Sequence, residues 1–379
     1  VKTKTIDGPR SIADTTVYEY STQRYLTRMT NAVGHVTQFL EHNGRGQPGR
    51  IIDSNGRVTA LTYTPRGWLD SITQDVGGIN ALMDLAYDNV GQLTRVTLPD
   101  ATYFDYDYDD AHRLEGITNG LGERIAYTLD GEGNPDFISF KDASNTATQT
   151  VDYQFDELSR LFRVFGSNGQ ETRYSYDDKD HLESINDGVN PPTLQDFDAL
   201  NRLQAVTDAD NNPIAIAYDS EDRIDGVTDQ RGLMTDYVYD GFGNLKQVTS
   251  PDAGTNTYTY DEAGNRLSQT DARNTVTNYT YDALNRLKSI SYPAEPGKNV
   301  TYSYDNWFYC SLCNGRLSIV NDASGQMVYF YDALGRVVSR QSVVKVPGGS
   351  PVTLITTFTY NPPGRLTTVQ YPTGQIVKY

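Results

Sequence analysis

Apolar and polar residues alternate with period two in short runs along most of the chain. Thr257-Tyr258-Thr259-Tyr260, Asn278-Tyr279-Thr280-Tyr281 and Thr301-Tyr302-Ser303-Tyr304 each place both rings on one face. Such alternation predicts half-buried β-strands. The same aromatic pair stands at Tyr18/Tyr20, Tyr106/Tyr108, Tyr153/Phe155, Tyr174/Tyr176, Tyr237/Tyr239 and Tyr329/Tyr331. Neighbouring strands are therefore expected to stack ring over ring, at roughly 0.2–1 kcal/mol per cross-strand pair. Each run ends in Asp followed by a short polar segment with Gly or Asn, as in Asp240-Gly241-Phe242-Gly243-Asn244 and Asp332-Ala333-Leu334-Gly335-Arg336. This is hairpin-turn chemistry, because the carboxylate accepts local backbone N–H groups and Gly or Asn tolerates positive φ. A second strand opens with Leu or Ile and carries a β-branched residue three positions on, as in Leu203/Val206, Leu245/Val248 and Leu287/Ile290. That spacing breaks strict alternation and predicts a bulge. Thr-Asp dipeptides such as Thr207-Asp208, Thr228-Asp229 and Thr270-Asp271 then begin a second turn.

Two strands and two turns form one unit, and the unit repeats. The anchors Phe155, Tyr176, Phe197, Tyr218, Tyr239, Tyr260 and Tyr281 recur every 21 residues. The wider series also takes in Tyr20, His42, Tyr63, Tyr87, Tyr108, Leu129, Tyr304, Tyr331 and Tyr360, with His42 and Leu129 degenerate. The expected fold is therefore all-β. It is a single array over residues 1–379 of about sixteen hairpin repeats, most regular over 150–290. Roughly 32 strands at ~4.8 Å make a strip on the order of 150 Å long, which twist must coil. Coiled once, it would be about 50 Å across, too wide for side chains to fill, so a hollow is expected.

Composition sharpens this picture. The chain has 28 Tyr and 12 Phe but 4 Met and 2 Trp, and its mean hydropathy is −0.57. These values suit thin, ring-paved surfaces better than a thick aliphatic core. A net charge of −17 opposes phosphate backbones and anionic lipid, so neither nucleic acid nor membrane insertion is expected. No apolar run approaches the ~18 residues of a membrane span.

The pattern Tyr-Asp-x-x-Gly/Asn-Arg-Leu, clearest in Tyr260-Asp261-Glu262-Ala263-Gly264-Asn265-Arg266-Leu267 and Tyr281-Asp282-Ala283-Leu284-Asn285-Arg286-Leu287, resembles the YD-repeat or RHS-repeat family over essentially residues 15–379. That family includes bacterial RHS polymorphic toxins, B and C components of Tc insecticidal toxins, wall-associated bacterial proteins and animal teneurins. The resemblance implies a spiralling β-strip forming part of a cocoon-like shell that encapsulates or presents a toxin or effector domain. The implied partner is the rest of the parent chain, with the remaining shell and an enclosed C-terminal domain. The implied location is secreted or cell-surface, in a bacterium. The family's Pro-rich closing segment with its Asp-Pro-x-Gly-Leu-like motif is not found, so autoproteolysis does not carry over. The opening partial repeat and the end at Tyr379 in mid-strand suggest a piece of a longer polypeptide, truncated at both ends.

Candidate chemistry is sparse. Cys310-Ser311-Leu312-Cys313 sits in an enlarged loop between Tyr304 and Leu317 and reads first as a loop-pinning disulfide or inert thiols. A zinc site would need further ligands, and the four histidines are remote in sequence. Asp105, Asp107 and Asp109 lie on one strand face, where a solvated acidic edge is favoured over calcium. Asp130-Gly131-Glu132-Gly133-Asn134 reads as a turn. Asn278-Tyr279-Thr280 and Asn299-Val300-Thr301 are formal glycosylation sequons. No nucleophile elbow, phosphate-binding loop or metalloprotease motif occurs, so no catalytic residue, metal or cofactor is expected. The residues singled out are structural: the pairs Tyr176/Asp177, Tyr239/Asp240, Tyr260/Asp261, Tyr281/Asp282 and Tyr331/Asp332, with Cys310 and Cys313. The competing reading is an extracellular carbohydrate-binding or adhesion surface, with Trp68 or Trp307 as a stacking platform for glycans.

Overall fold

A computed structural model describes residues 2–6, 14–306, 308 and 310–379. Trp307 lies outside the described residues. The described residues contain 34 β-strands in one sheet and no α-helix, with a single 3-10 turn at Pro296–Lys298. Ladders along the described residues are antiparallel and join strands consecutive in the chain. No helix of the described residues is long and apolar enough to cross a membrane.

The regular unit is seen in β22 (Met234–Tyr239) and β23 (Leu245–Ser250), and again in β26 (Val276–Tyr281) and β27 (Leu287–Ser291). In β24 (Gly254–Tyr260), half-buried and exposed residues alternate strictly, with Tyr258 and Tyr260 on the half-buried face and Thr257 and Thr259 in solvent. Fifteen of the sixteen anchors are the last residues of strands; His42 stands two residues past the end of β4 (Val36–Leu40). Chain direction therefore reverses just after the ring. The bulge follows the turn: Tyr281 pairs with Leu287 but Thr280 pairs with Ser289, leaving Lys288 as the extra residue. The same shift recurs at Tyr239/Leu245 and Tyr360/Leu366. It explains why Leu and the β-branched residue three positions on share a face.

The chain divides into two compact units. One comprises Val1–Leu85, Thr97–Ala101 and Tyr258–Tyr379, and the other Ala86–Val96 and Thr102–Thr257. The first brings early and late segments together and contains every buried apolar side chain of the described residues: Ala81, Cys310, Cys313, Ile319, Val328 and Val369. In the second, the anchor rings Tyr87, Tyr108, Phe155, Tyr176, Phe197, Tyr218 and Tyr239 are half-buried.

Because each hairpin packs on its neighbours, deleting residues 219–239, one period, should leave a soluble β-rich protein. Deleting ten residues from the same region should put faces and register out of phase. Circular dichroism and thermal unfolding of the two deletions should differ sharply; equal damage would contradict the repeat.

Candidate functional site

The side chains that recur in space are those of the turn. At Asp282, Oδ1 accepts the backbone N–H of Leu284 at 2.8 Å and of Arg286 at 3.0 Å, while Oδ2 accepts Arg286 Nε at 2.7 Å. The Asp282 N–H donates to the Arg286 carbonyl at 3.0 Å, and Asn285, which closes the turn, has φ of 61°. One carboxylate thus satisfies the turn's inward N–H groups and orients an arginine. Asp332 repeats the arrangement with Leu334, Arg336 and Arg336 Nε at 3.0, 3.0 and 2.6 Å. Asp156, Asp198 and Asp219 hold Arg160, Arg202 and Arg223 in the same way, at 2.8, 2.8 and 2.7 Å to Nε.

The oriented arginine then reaches the next repeat. Arg286 lies 4.4 Å from the ring centroid of Tyr304, whose hydroxyl donates back to the Leu287 carbonyl at 3.0 Å. Arg160 covers Tyr176 at 4.7 Å, Arg202 covers Tyr218 at 4.4 Å, Arg223 covers Tyr239 at 4.8 Å and Arg336 covers Tyr360 at 4.9 Å. Those tyrosine hydroxyls return to the carbonyls of Leu161, Leu203, Ile224 and Val337 at 2.7, 2.7, 2.9 and 2.8 Å. A clip of Asp, Arg and the following Tyr therefore ties each of these five turns to the next. Burial pushes the Tyr176 and Tyr304 phenols above their ordinary range, which keeps them neutral donors.

The singled-out pairs occupy this clip in several variants. Asp177 bonds His181 Nδ1 at 2.8 Å, and His181 stacks on Phe197 with centroids 4.5 Å apart. Asp240 and Asp261 take Asn244 and Asn265 Nδ2 at 3.0 and 2.9 Å in place of arginine. The hydroxyls of Tyr281 and Tyr331 donate to the Arg266 and Leu317 carbonyls at 3.1 and 2.7 Å, and Arg316 lies 5.4 Å from the Tyr331 ring. Tyr260 ends β24, half-buried. The expected ring-on-ring ladder is corrected here. Ring pairs stack at Tyr25/His42 and His181/Phe197, but the recurring partner of the anchor ring is an arginine. The guanidinium is flat and cationic and fits the ring face, whereas tyrosines one repeat apart are separated by an intervening strand. Arginine stood in the repeat motif; its spacing to the next tyrosine was the overlooked signal.

The acidic strand is likewise accounted for. Asp105 is gripped by Arg95 Nε and Nη2 at 2.5 and 2.8 Å, Asp107 is bound by Arg124, and Asp109 takes Arg113 Nε at 2.7 Å. Asp130 Oδ1 accepts the N–H groups of Glu132 and Asn134 at 3.0 and 2.8 Å, as a turn acid does. Asn278 lies within a ladder, opposite Ser268 and Ser291. Cys310 and Cys313 are joined as a disulfide. Trp68 is half-buried, with Arg66 over its ring at 5.2 Å.

Replacing Asp282 by Ala removes the acceptor for two turn N–H groups and for Arg286 Nε, leaving the guanidinium held by Asp305. The expected result is about 1–2 kcal/mol of local destabilisation, read as faster hydrogen exchange confined to residues 280–306, with the rest of the array unchanged. The clip also sets acid sensitivity. The His181 hydrogen bond holds Asp177 down to about 2, and Arg173 and Arg163 hold Glu171 down to about 2. A carboxylate depressed in the folded state contributes stability above its unfolded value and loses that contribution as pH falls through the folded one. Thermal stability should therefore hold at pH 5 and drop between about pH 4 and pH 2.

The family model described as Teneurin YD-shell matches residues 137–344, and one described as RHS Repeat matches residues 87–124. Double-stranded DNA deaminase toxin A of Burkholderia cenocepacia (strain H111) is 28% identical over 154 residues, covering 39% of this chain and 10% of that protein. The matched stretch therefore spans about a tenth of the length of that relative. Among solved structures, TcdB2-TccC3 superposes with a TM-score of 0.75 at 16% identity, over 95% of this chain and 22% of that one. The Photorhabdus luminescens Tc holotoxin pore gives 0.74 at 16% identity, over 95% and 21%. At such identity the likeness is one of fold. With one family model spanning more than half of its length, across the segment where the clip is most regular, the chain belongs to the teneurin YD-shell family.

Proposed function

We propose that this chain is a wall segment of an RHS/YD shell, a single array of YD repeats whose work is to enclose or present another domain of its parent polypeptide. The observation that carries this reading is the clip itself. The acids and rings recurring along the sheet are engaged in holding repeat to repeat, so the Tyr/Asp pairs serve as structural anchors and the segment is not an enzyme. The Tc toxin likeness and the toxin relative support a role in toxin encapsulation. The partner on this reading is the rest of the parent chain, because the solved chains that share this fold are about five times as long. A disulfide at Cys310/Cys313 suits an oxidising location, secreted or at the cell surface, and the bacterial relatives suit a bacterial source.

A second reading, a glycan-binding surface, has one specific support. A cleft of about 550 Å³ is lined by Tyr153, Phe155 and Phe162 together with Asp136 and Glu157. Rings beside carboxylates are the chemistry that stacks on and hydrogen-bonds a sugar.

Limited proteolysis of the parent polypeptide tests the first reading. The domain downstream of the repeats should resist protease while the shell is intact and be cut rapidly once the repeats are interrupted by an out-of-phase deletion. Equal cleavage in both would overturn encapsulation. Selective binding on a glycan array, abolished by Phe162→Ala with the fold retained, would establish the second.

A further inference from the structure

The enlarged turn between Tyr304 and Leu317 differs from the others in what it touches. At one end, Asp305 accepts Arg286 Nη1 and Nη2 at 3.2 and 2.6 Å and the Gly315 N–H at 2.5 Å, and its Oδ1 lies 3.3 Å from His35 Nε2. At the other end, the Asn314 N–H donates to Asn55 Oδ1 at 3.0 Å, and Asn314 Nδ2 donates to the Ser54 carbonyl at 2.7 Å. Asn55 Nδ2 in turn donates to the Asn314 carbonyl at 3.0 Å. These bonds join positions 259 and 260 residues apart inside one compact unit, whereas the turn clips reach one repeat along.

The disulfide stands immediately before Asn314. Cys313 is fully buried, with its Sγ 3.9 Å from the Tyr329 carbonyl, and Cys310 is 6% exposed. The Arg316 N–H donates to the Cys313 carbonyl at 2.9 Å, and the Asn306 N–H donates to Ser318 Oγ at 3.0 Å, fixing the base of the loop. A loop of this length must lose much conformational freedom to make three directed hydrogen bonds with a distant turn. A cross-link one residue away removes part of that cost beforehand.

We propose that the Cys310–Cys313 disulfide is a redox-controlled latch between the early and late segments of this unit. Oxidised, it holds Asn314 on Ser54 and Asn55, and Asp305 beside His35. A dithiol reductant attacks the Cys310 sulfur and breaks the S–S bond; its second thiol then resolves the mixed disulfide. Both cysteines end as thiols, and the reductant ends as its own disulfide, so two electrons and two protons pass to the protein. The loop then gains freedom and the distant contacts open.

Hydrogen exchange of the whole chain, oxidised and after dithiothreitol, tests this, with reduction verified by a mass gain of about 2 Da from the two protons taken up. Exchange at residues 53–58 should accelerate about tenfold, as loss of hydrogen bonds worth about 0.5–1.5 kcal/mol each requires. Residues 305–316 should follow, and residues 200–250 should not change. The Asn55→Ala/Asn314→Ala double variant, which removes all three bonds, should in the oxidised protein reproduce the acceleration at 53–58 and make that segment insensitive to dithiothreitol. A native disulfide that resists dithiothreitol would overturn the redox control, and the Cys310→Ser/Cys313→Ser double variant checks that opening follows loss of the S–S bond. Unchanged exchange at 53–58 in the reduced state, or continued sensitivity to dithiothreitol in the Asn55→Ala/Asn314→Ala variant, would overturn the latch.

Discussion

A two-stranded repeat has no interior of its own, so every hairpin depends on how firmly its turn is tied to the next. The tie is the carboxylate after the anchor ring. Its two oxygens satisfy the N–H groups that the turn points inward and fix a guanidinium over the ring of the following repeat, as at Asp282, Arg286 and Tyr304. The Tyr304 hydroxyl closes the circuit on the Leu287 carbonyl. Without the carboxylate, a tight turn would leave N–H donors unsatisfied and the arginine would lose the acceptor of its Nε. The paucity of fully buried apolar residues follows from the same constraint: polar clips and half-buried rings do the work that a core does elsewhere.

Much of this was legible in the sequence. Period-two runs such as 257–260 located the strands, and Asp followed by Gly or Asn located the turns and their positive φ, as at Gly243 and Asn285. The Leu-to-Val spacing located the bulge between Leu245 and Gln247. These are local properties, set by side-chain alternation and backbone sterics within a few residues. The arginine-on-tyrosine contact was not read, because it joins residues of adjacent repeats and depends on strand register. Even less visible was the meeting of Asn55 with Asn314, which no spacing rule encodes and which arises where distant segments fold together.

The shared fold with Tc toxin structures, at an identity where few side chains coincide, is understandable on these terms. What recurs along this chain is a turn acid, a ring and a planar or polar linker between them. Asp240 with Asn244, and Asp177 with His181, show within one chain how freely the linker varies.

The central claim is that arginine and the next tyrosine couple adjacent repeats, and a double-mutant cycle on Arg286 and Tyr304 measures it most directly. Arg286→Met, Tyr304→Leu and the double variant, followed by hydrogen exchange across 282–320, should give a coupling energy of about 0.5–1 kcal/mol favouring the native pair. Strictly additive effects would show that the two side chains stabilise the array independently, and the clip would not be what holds repeat to repeat.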